Sequence, residues 1–543
     1  MARVKYMLPA LFCAVLLARS DFQSPVFTDV TPASGISFQH CMGNEEIRSI
    51  LDATGSGCAF LDYDGDRLMD LYVVNGRYLE GISDPQSRFK SIPTISRLYR
   101  NRGSGSFEDV TEKAGVANAG GYGMGVTVGD YDNDGYPDLY VTNYGGNRLY
   151  HNNRNGTFTD VTVKAGVSCG LWSVGAVFLD YDKDGGLDLF VGNYLEFDPK
   201  YRLYYEADVY PGPLSYPGQL SALYHNKGDG TFSDVSREAG ITKKGRAMGV
   251  LSADFDDDGW PDIFVANDAT ENYLYHNNGN GTFSEVGLEA GVAFGQHGNA
   301  VSSMGGDFGD FDRDGRLDLL VPAAFIITLY RNLGKGLFED VSPRTGVARA
   351  SAQFWSWGGE FVDYDNDGNP DILVVNGDGH RLSEKQEHLL MRNERKPDGS
   401  HLFTDVSRSA GPFFDTRSVA RGMAVADYDN DGDMDFFMVN IDQPSRLLRN
   451  DGGNRNNWLA VRLAGTKSNR DGVGAKITVR AGDLTQVAEK MSATSYLSQD
   501  DPRVHFGLGQ KTRIDELTVR WPGGKVQKLM DLKVNQILTV VEQ

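Results

Sequence analysis

Short apolar runs rich in Val, Phe and Tyr, broken by Gly, Asn and Asp turns, set the pattern of this chain, and the pattern repeats. One segment recurs seven times: LDYDGDRLMDLYVVN from Leu61, GDYDNDGYPDLYVTN from Gly129, LDYDKDGGLDLFVGN from Leu179, ADFDDDGWPDIFVAN from Ala253, GDFDRDGRLDLLVPA from Gly309, VDYDNDGNPDILVVN from Val362 and ADYDNDGDMDFFMVN from Ala426. A second segment, an aromatic strand of the form F-x-D/E-V, also recurs seven times, starting at Phe27, Phe107, Phe158, Phe232, Phe283, Phe338 and Phe403. Between the two lies a hairpin of the type LYHNNGNGTF, seen at Leu149, Leu223 and Leu274, whose Asn-Gly turn between apolar runs is a hairpin signal.

Each unit therefore predicts four strands. Strand a enters an acidic loop, strand b leaves it, strand c is the LYHN-type run and strand d is the aromatic run. Four short strands at such a period are the pattern of propeller blades. The last unit lacks a strand d, and the first strand d, at Phe27, precedes any strand a. The N-terminal strand is thus expected to complete the seventh blade and leave no open sheet edge. The predicted fold is all-β, a seven-bladed β-propeller with a C-terminal β-sandwich-like domain. That second domain rests on the alternating runs WLAVRLAG, AKITVRAG, VHFGLG, IDELTVRWPGG and QILTVVE after a polar DGGNRNN linker. The expected boundaries are 1–20 for a signal peptide, 21–452 for the propeller and 453–543 for the C-terminal domain.

Composition changes this picture in two places. The 65 Gly residues fit many tight turns. The net charge of −21, from 53 basic and 74 acidic residues, argues against nucleic acid and anionic membrane as partners. Arg3 and Lys5 precede an apolar run from Met7 to Ala18, the layout of a secretory signal and too short to span a bilayer. No membrane insertion is expected, and the mature protein is read as secreted, to the extracellular space or periplasm, and as a monomer. In that compartment Cys41 and Cys58 are candidates for a disulfide, while Cys169 reads as a small buried hydrophobe.

Much of the acidity is candidate metal ligand. Every loop carries Asp at positions 1, 3, 5 and 9: Asp62, Asp64, Asp66 and Asp70; Asp130, Asp132, Asp134 and Asp138; Asp180, Asp182, Asp184 and Asp188; Asp254, Asp256, Asp258 and Asp262; Asp310, Asp312, Asp314 and Asp318; Asp363, Asp365, Asp367 and Asp371; Asp427, Asp429, Asp431 and Asp435. Carboxylates so close repel unless a cation neutralises them, and oxygens at this spacing suit Ca²⁺ better than Mg²⁺. Up to seven structural Ca²⁺ are expected. Position 12 is apolar throughout, so these are not EF-hands. Gly stands at position 6 in six loops. The first has Arg67 there, with Gly65 two residues earlier, and is the least secure site.

The a–b loops share one face of a propeller, whereas the long insertions Gly76–Ser96, Tyr194–Ser221 and Gly377–His388 fall between strands b and c, on the other. Candidate partner-binding residues on that second face are Trp172, Tyr194, His297, Trp355, Trp357, His380 and Arg421. No Gly-x-Ser-x-Gly elbow, P-loop, HExxH or Cys-x-x-Cys motif is present, and the nine His residues form no spaced cluster in the sequence. No catalytic residue is assigned.

The mature chain resembles the cartilage acidic protein family, with repeats like the FG-GAP type of the integrin α head. Its tail is similar to the ASPIC/UnbV domain, through NNWLAVRL from Asn456, DGVGAKITV from Asp471, SYLSQ from Ser495, VHFGLG from Val504 and VRWPGG from Val519. The calcium-binding EGF-like module of animal members is absent, which makes the resemblance closer to a bacterial member. The expected function is a secreted, calcium-stabilised binding module that recognises an extracellular protein or carbohydrate through the face opposite the calcium loops. The alternatives are a calcium-dependent enzyme of cyclase or lyase type with its pocket at the channel mouth, and an integrin-like adhesion protein.

Overall fold

The computed structural model describes residues 25–92, 94–201 and 210–543, so the predicted signal peptide lies outside the described residues. Seven antiparallel sheets follow one another along the chain, each with four strands in the order a-b-c-d, and the fourth carries the extra short strand Val301–Ser302. The first comprises Cys58–Leu61, Asp70–Val73, Arg97–Asn101 and Phe107–Asp109. The last is completed out of sequence: Val26–Asp29 pairs antiparallel with Arg446–Asp451, with Phe27 opposite Asn450.

Apolar residues between the sheets close the ring. Each sheet shares one buried cluster with each neighbour, for example Leu61 and Tyr72 of the first with Val128 and Leu139 of the second. The seventh sheet packs on the sixth through Phe27, Phe436 and Leu373, and on the first through Phe437, Phe60 and Leu71. The chain termini of the ring are therefore joined by the same packing as any other pair, which removes free sheet edges.

A polar belt follows the same circuit. The Asn ending each strand c motif (Asn101, Asn152, Asn226, Asn277, Asn332, Asn393, Asn450) is buried. Its side-chain amide donates at 2.7–2.9 Å to the carbonyl of the aromatic residue at loop position 2 in the preceding sheet. Asn101 reaches Tyr428 of the seventh sheet in this way, so the belt has no gap.

The C-terminal domain is a two-layer sandwich. One layer holds Val504–Gly509, Asn457–Ala464 and Gln536–Val541, the last two parallel; the other holds Leu484–Glu489, Lys476–Ala481, Ile514–Arg520 and Val526–Leu532. Two of these strands, Leu484–Glu489 and Val526–Leu532, are additions to those read from the sequence. The second is largely exposed, with alternate positions open to solvent, which weakens its apolar signal.

One expectation is corrected: Cys41 and Cys58 are both free and buried. Cys58 lies in strand a of the first sheet, its thiol near the Phe437 carbonyl and Ser498, within the apolar cluster shared with the seventh sheet. Cys41 belongs to the loop that caps Asn75. Cys169 is buried as expected.

Candidate metal loops and an aromatic channel mouth

Each acidic loop uses one backbone conformation. Position 4 is left-handed at Asn133, Lys183, Asp257, Arg313, Asn366 and Asn430, with φ from 54° to 64°, and position 6 is left-handed at its Gly, with φ from 90° to 95°. The first loop exchanges the residue types but keeps the shape: Gly65 at position 4 has φ 78° and Arg67 at position 6 has φ 71°. A non-Gly residue held there carries a modest backbone strain.

The four Asp residues divide their work. Position 9 accepts the strand c Asn backbone N–H at 2.7–2.8 Å in all seven loops. Position 1 accepts loop N–H groups, as Asp130 does from Asp134 and Gly135. Positions 3 and 5 keep oxygens directed to a common centre, where Asp132 and Asp134, Asp182 and Asp184, and Asp256 and Asp258 come together. Burial above all pushes Asp138, Asp188 and Asp262 up to about 7, against the hydrogen bonds from His151, His225 and His276. This oxygen-rich donor set fits a hard divalent ion.

The strand c residue before the Asn sorts the loops into two kinds, which the sequence reading missed. His151, His225 and His276 each lie within ligand reach of two Asp residues of the second, third and fourth loops. The signal was the LYHN run at Leu149, Leu223 and Leu274, which puts one His beside each of these three loops although the three His lie far apart in sequence. The other four sheets have Arg. Arg100 binds Asp64 at 2.6 Å and Asp66 at 3.1 Å, and Arg331 binds Asp312 at 2.5 Å and Asp314 at 3.2 Å. A guanidinium thus already neutralises positions 3 and 5 of the first and fifth loops, which fit an ion less well. Arg392 and Arg449 form their ion pairs with Glu394 and Asp451 and act on the sixth and seventh loops only from a distance.

The C-terminal sandwich docks on this loop face. Arg462 pairs with Asp62, Arg520 with Asp254 and Asp257, and Asp471 and Glu489 accept the backbone N–H groups of Asp130 and Asp254. From it a pin, Ser492–Asp501, enters the central channel and bonds to the innermost strands: Gln499 with Cys58 and Phe60, Leu497 with Val126, Ser495 with Gly306 and Asp501 with Val425. Approach is so close that a Cβ at Gly57 would stand 1.8 Å from the Leu497 carbonyl, and one at Gly305 2.0 Å from that of Ser495. Tyr496 at the tip is fully buried and reaches the far mouth, where its hydroxyl donates to the Thr54 carbonyl at 3.0 Å.

At that far mouth lies a cavity of ≈ 290 Å³ lined by Tyr194, Tyr210, Asp268, Trp355, Trp357 and His380, among others. The lining comes from d–a and b–c connections and from the adjoining ends of strands a and b, such as Met248, Trp357 and Asp268, so the face is the one opposite the acidic loops. Trp355 and Trp357 lie parallel, 6.4 Å apart, and Tyr496 meets Trp357 edge-on at 5.1 Å from beneath. Tyr194 donates to Asp268 at 2.5 Å, and burial raises the Asp268 carboxyl and lowers the His380 imidazole from their usual ranges. Trp355 Nε1 and His380 Nδ1 have no hydrogen-bond partner among the described residues.

Of the seven candidate residues, Tyr194, Trp355, Trp357 and His380 line this pocket. Trp172 sits behind it, packed edge-on against Tyr194 and Tyr144. Arg421 is fully buried beneath Trp357, its guanidinium 3.9 Å from the ring centroid and bonded to the carbonyls of Ala53, Ala420 and Asp378. It therefore supports the pocket and is out of a ligand's reach. His297 lies in an exposed loop away from the pocket lining. The Asn residues after strand b, such as Asn143 and Asn267, are buried strand caps.

Ring, loops and sandwich together define an FG-GAP-type repeat propeller carrying a C-terminal module. This chain belongs to the FG-GAP-like repeat family, whose profile matches residues 62–141, 130–191, 214–265, 254–321 and 326–374, more than half of the chain, and the ASPIC and UnbV profile matches 465–543. Cartilage acidic protein 1 of Mus musculus is a homologue, 26% identical over 98% of this chain and 80% of that protein. Cartilage acidic protein 1 of Homo sapiens is 28% identical over 57% of this chain, and that alignment spans about half of the human protein, at 46%. Among solved structures, an Agrocybe aegerita lectin described as recognising non-reducing terminal N-acetylglucosamine overlaps 72% of this chain and 86% of its own, at 17% identity and a TM-score of 0.37, too loosely to bear on ligands.

Proposed function

We propose that this protein is a secreted, calcium-stabilised propeller that binds a protein or carbohydrate partner at the channel mouth opposite its acidic loops. The observation that carries this reading is the pocket between Trp355, Trp357, Tyr194 and Tyr210. Aromatic faces with a few hydrogen-bonding groups are what a sugar ring or an aromatic-rich peptide needs. Secretion is supported by the charged-then-apolar residues 1–20, and no described helix is long and apolar enough to cross a membrane. Calcium is supported by the shared loop conformation and its converging oxygens.

Glycan and secreted-protein arrays probed with and without Ca²⁺ test this. The expected result is a calcium-dependent hit whose affinity falls at least about tenfold in Trp355→Ala, the loss of one aromatic contact. Arrays with no calcium-dependent hit sink the reading.

One observation favours a second reading as an enzyme: His380 and Asp268 share the pocket, an acid and a base in one cavity. Turnover of an array ligand that His380→Gln abolishes while binding persists would decide for catalysis. The adhesion reading is weakened, because the sandwich covers much of the loop face on which a calcium-bridged carboxylate would have to land.

A further inference from the structure

A group of carboxylates lies outside the seven loops. Three residues before the first loop Asp, five sheets carry Ala59, Thr127, Val177, Leu251 and Ala424, but the fifth and sixth carry Asp307 and Glu360. These positions are on strand a, next to the channel, and Asp500 of the pin comes against both. Glu360 is 1% exposed; neither of its oxygens meets a backbone, hydroxyl, amide or cationic donor among the described residues, and its side chain is paired only with the Asp500 carboxyl. Asp307 is 5% exposed; one oxygen accepts the Phe361 N–H at 2.9 Å and the other has no donor. Asp500 accepts the Val425 N–H at 2.8 Å and the Thr494 hydroxyl at 2.7 Å.

Two cations are near, and Lys490 borders the same cavity as Asp307 and Asp500. Lys490 donates to the Met491 carbonyl, and Arg503 is held by Asp501, Asn430 and the Asp427 carbonyl. The buried Asp307 and Glu360 and the half-buried Asp500, set against one another, cannot all be charged without a counter-ion. Burial, and then the other members of the group, hold Asp307 and Glu360 far above the usual carboxylate range. Asp307, Asp500 and Thr494 also border a cavity of ≈ 190 Å³ between propeller and sandwich, with room for an ion and its waters.

We propose that Asp307, Glu360 and Asp500 form a further site for a hard divalent cation, Ca²⁺ or Mg²⁺, which ties the fifth and sixth sheets to the pin. Unlike a loop site, its ligands come from three separate stretches of chain, so the ion would lock the C-terminal domain to the ring. The hydroxyl of Thr494 and water from the cavity complete an oxygen shell of the kind these ions take.

The test is an anomalous difference map from crystals of the full chain soaked in Mn²⁺. The expected result is a peak among the three carboxylates that vanishes in Glu360→Gln while loop peaks remain. A wild-type map without a peak at the trio, whatever the loops show, overturns the proposal and assigns the group to shared protons. Should Glu360→Gln fail to fold, native mass spectrometry of Asp500→Asn against wild type gives the second reading. One ion fewer supports the site, and an equal count overturns it.

Discussion

At one mouth of the channel, seven loops repeat the same left-handed positions and the same four Asp residues, and a sandwich domain packs over them. At the other, Trp355, Tyr194, Tyr210 and His380 from the connections meet Trp357 at the end of a strand, in an arrangement that does not repeat, around an open cavity. The His residues report the contrast. His276, on strand c beside the fourth loop, is pushed up to about 9, first by its hydrogen bond to Asp262, whereas His40 and His388, buried on the insertion side, are pushed down to about 3 by burial. A repeated site adds the same small term many times and so governs stability, while a unique site can carry recognition. The loop face is itself uneven: Arg100 and Arg331 each hold positions 3 and 5 of one loop, whereas Arg154 reaches only Asp134 of the second and Arg520 only Asp254 and Asp257 of the fourth.

Removing metal should have the largest effect. Each ion present at a hundred times its Kd adds about 2.7 kcal/mol to the folded state. Three occupied loops would then add about 8 kcal/mol, which for a chain of this length lowers Tm by roughly 7 °C on chelation. Differential scanning calorimetry in excess EDTA, against Ca²⁺, measures it. An unchanged Tm would show that the loops hold their charge without metal and would break the comparison at its stronger end.

The repeated half of this contrast was legible in the sequence because it was written seven times. The four-strand unit, the orphan strand at Phe27 and the Asp spacing all follow from periodicity. The His and Arg beside the loops were equally periodic but one strand away, so a search along the chain for ligand spacing passed over them. The pin could not be found in this way. Ser492–Asp501 is a short polar stretch without alternation, and its partners Cys58, Val126, Gly306 and Val425 lie from 76 to 441 residues away in the chain. Arg421 illustrates the same limit: its residue type suggested a ligand contact, and only the packing of Trp357 over its guanidinium shows it to be internal support.

Because the pin joins the two mouths, Tyr496→Ala tests whether they are mechanically one unit. The side chain is fully buried, bonded to Thr54 and packed on Trp357. Its removal should cost about 3–5 kcal/mol in urea unfolding, the range for a buried aromatic. Tyr496→Phe, which forfeits only the hydroxyl contact, should cost about 1 kcal/mol. Equal stabilities for wild type and Tyr496→Ala would mean that the channel is filled without the pin, and the two mouths would then be independent.

The smallest effect sharpens the comparison at the insertion side, through pH. His388 accepts the Asn376 backbone N–H at Nδ1 (3.1 Å), so its neutral ring carries the proton on Nε2, 3.0 Å from Ser418 Oγ, and it stacks on Phe413. A second proton would have to sit on Nδ1, where a donor already points, in a site that burial and the Arg446 guanidinium both make hostile to positive charge. The folded pKa of about 3 lies below the unfolded value of 6.5. Between them the unfolded chain binds a proton that the folded chain refuses, so stability present above pH 6.5 is lost as the pH falls, by up to about 1.4 kcal/mol per pH unit. With Ca²⁺ saturating, wild type should lose about 2 kcal/mol more than His388→Gln between pH 6.5 and 5.0 in urea unfolding. Equal losses would mean that His388 takes its proton in the folded state, which requires the insertion side to open around it and would make that face, rather than the loops, the mobile part of the molecule.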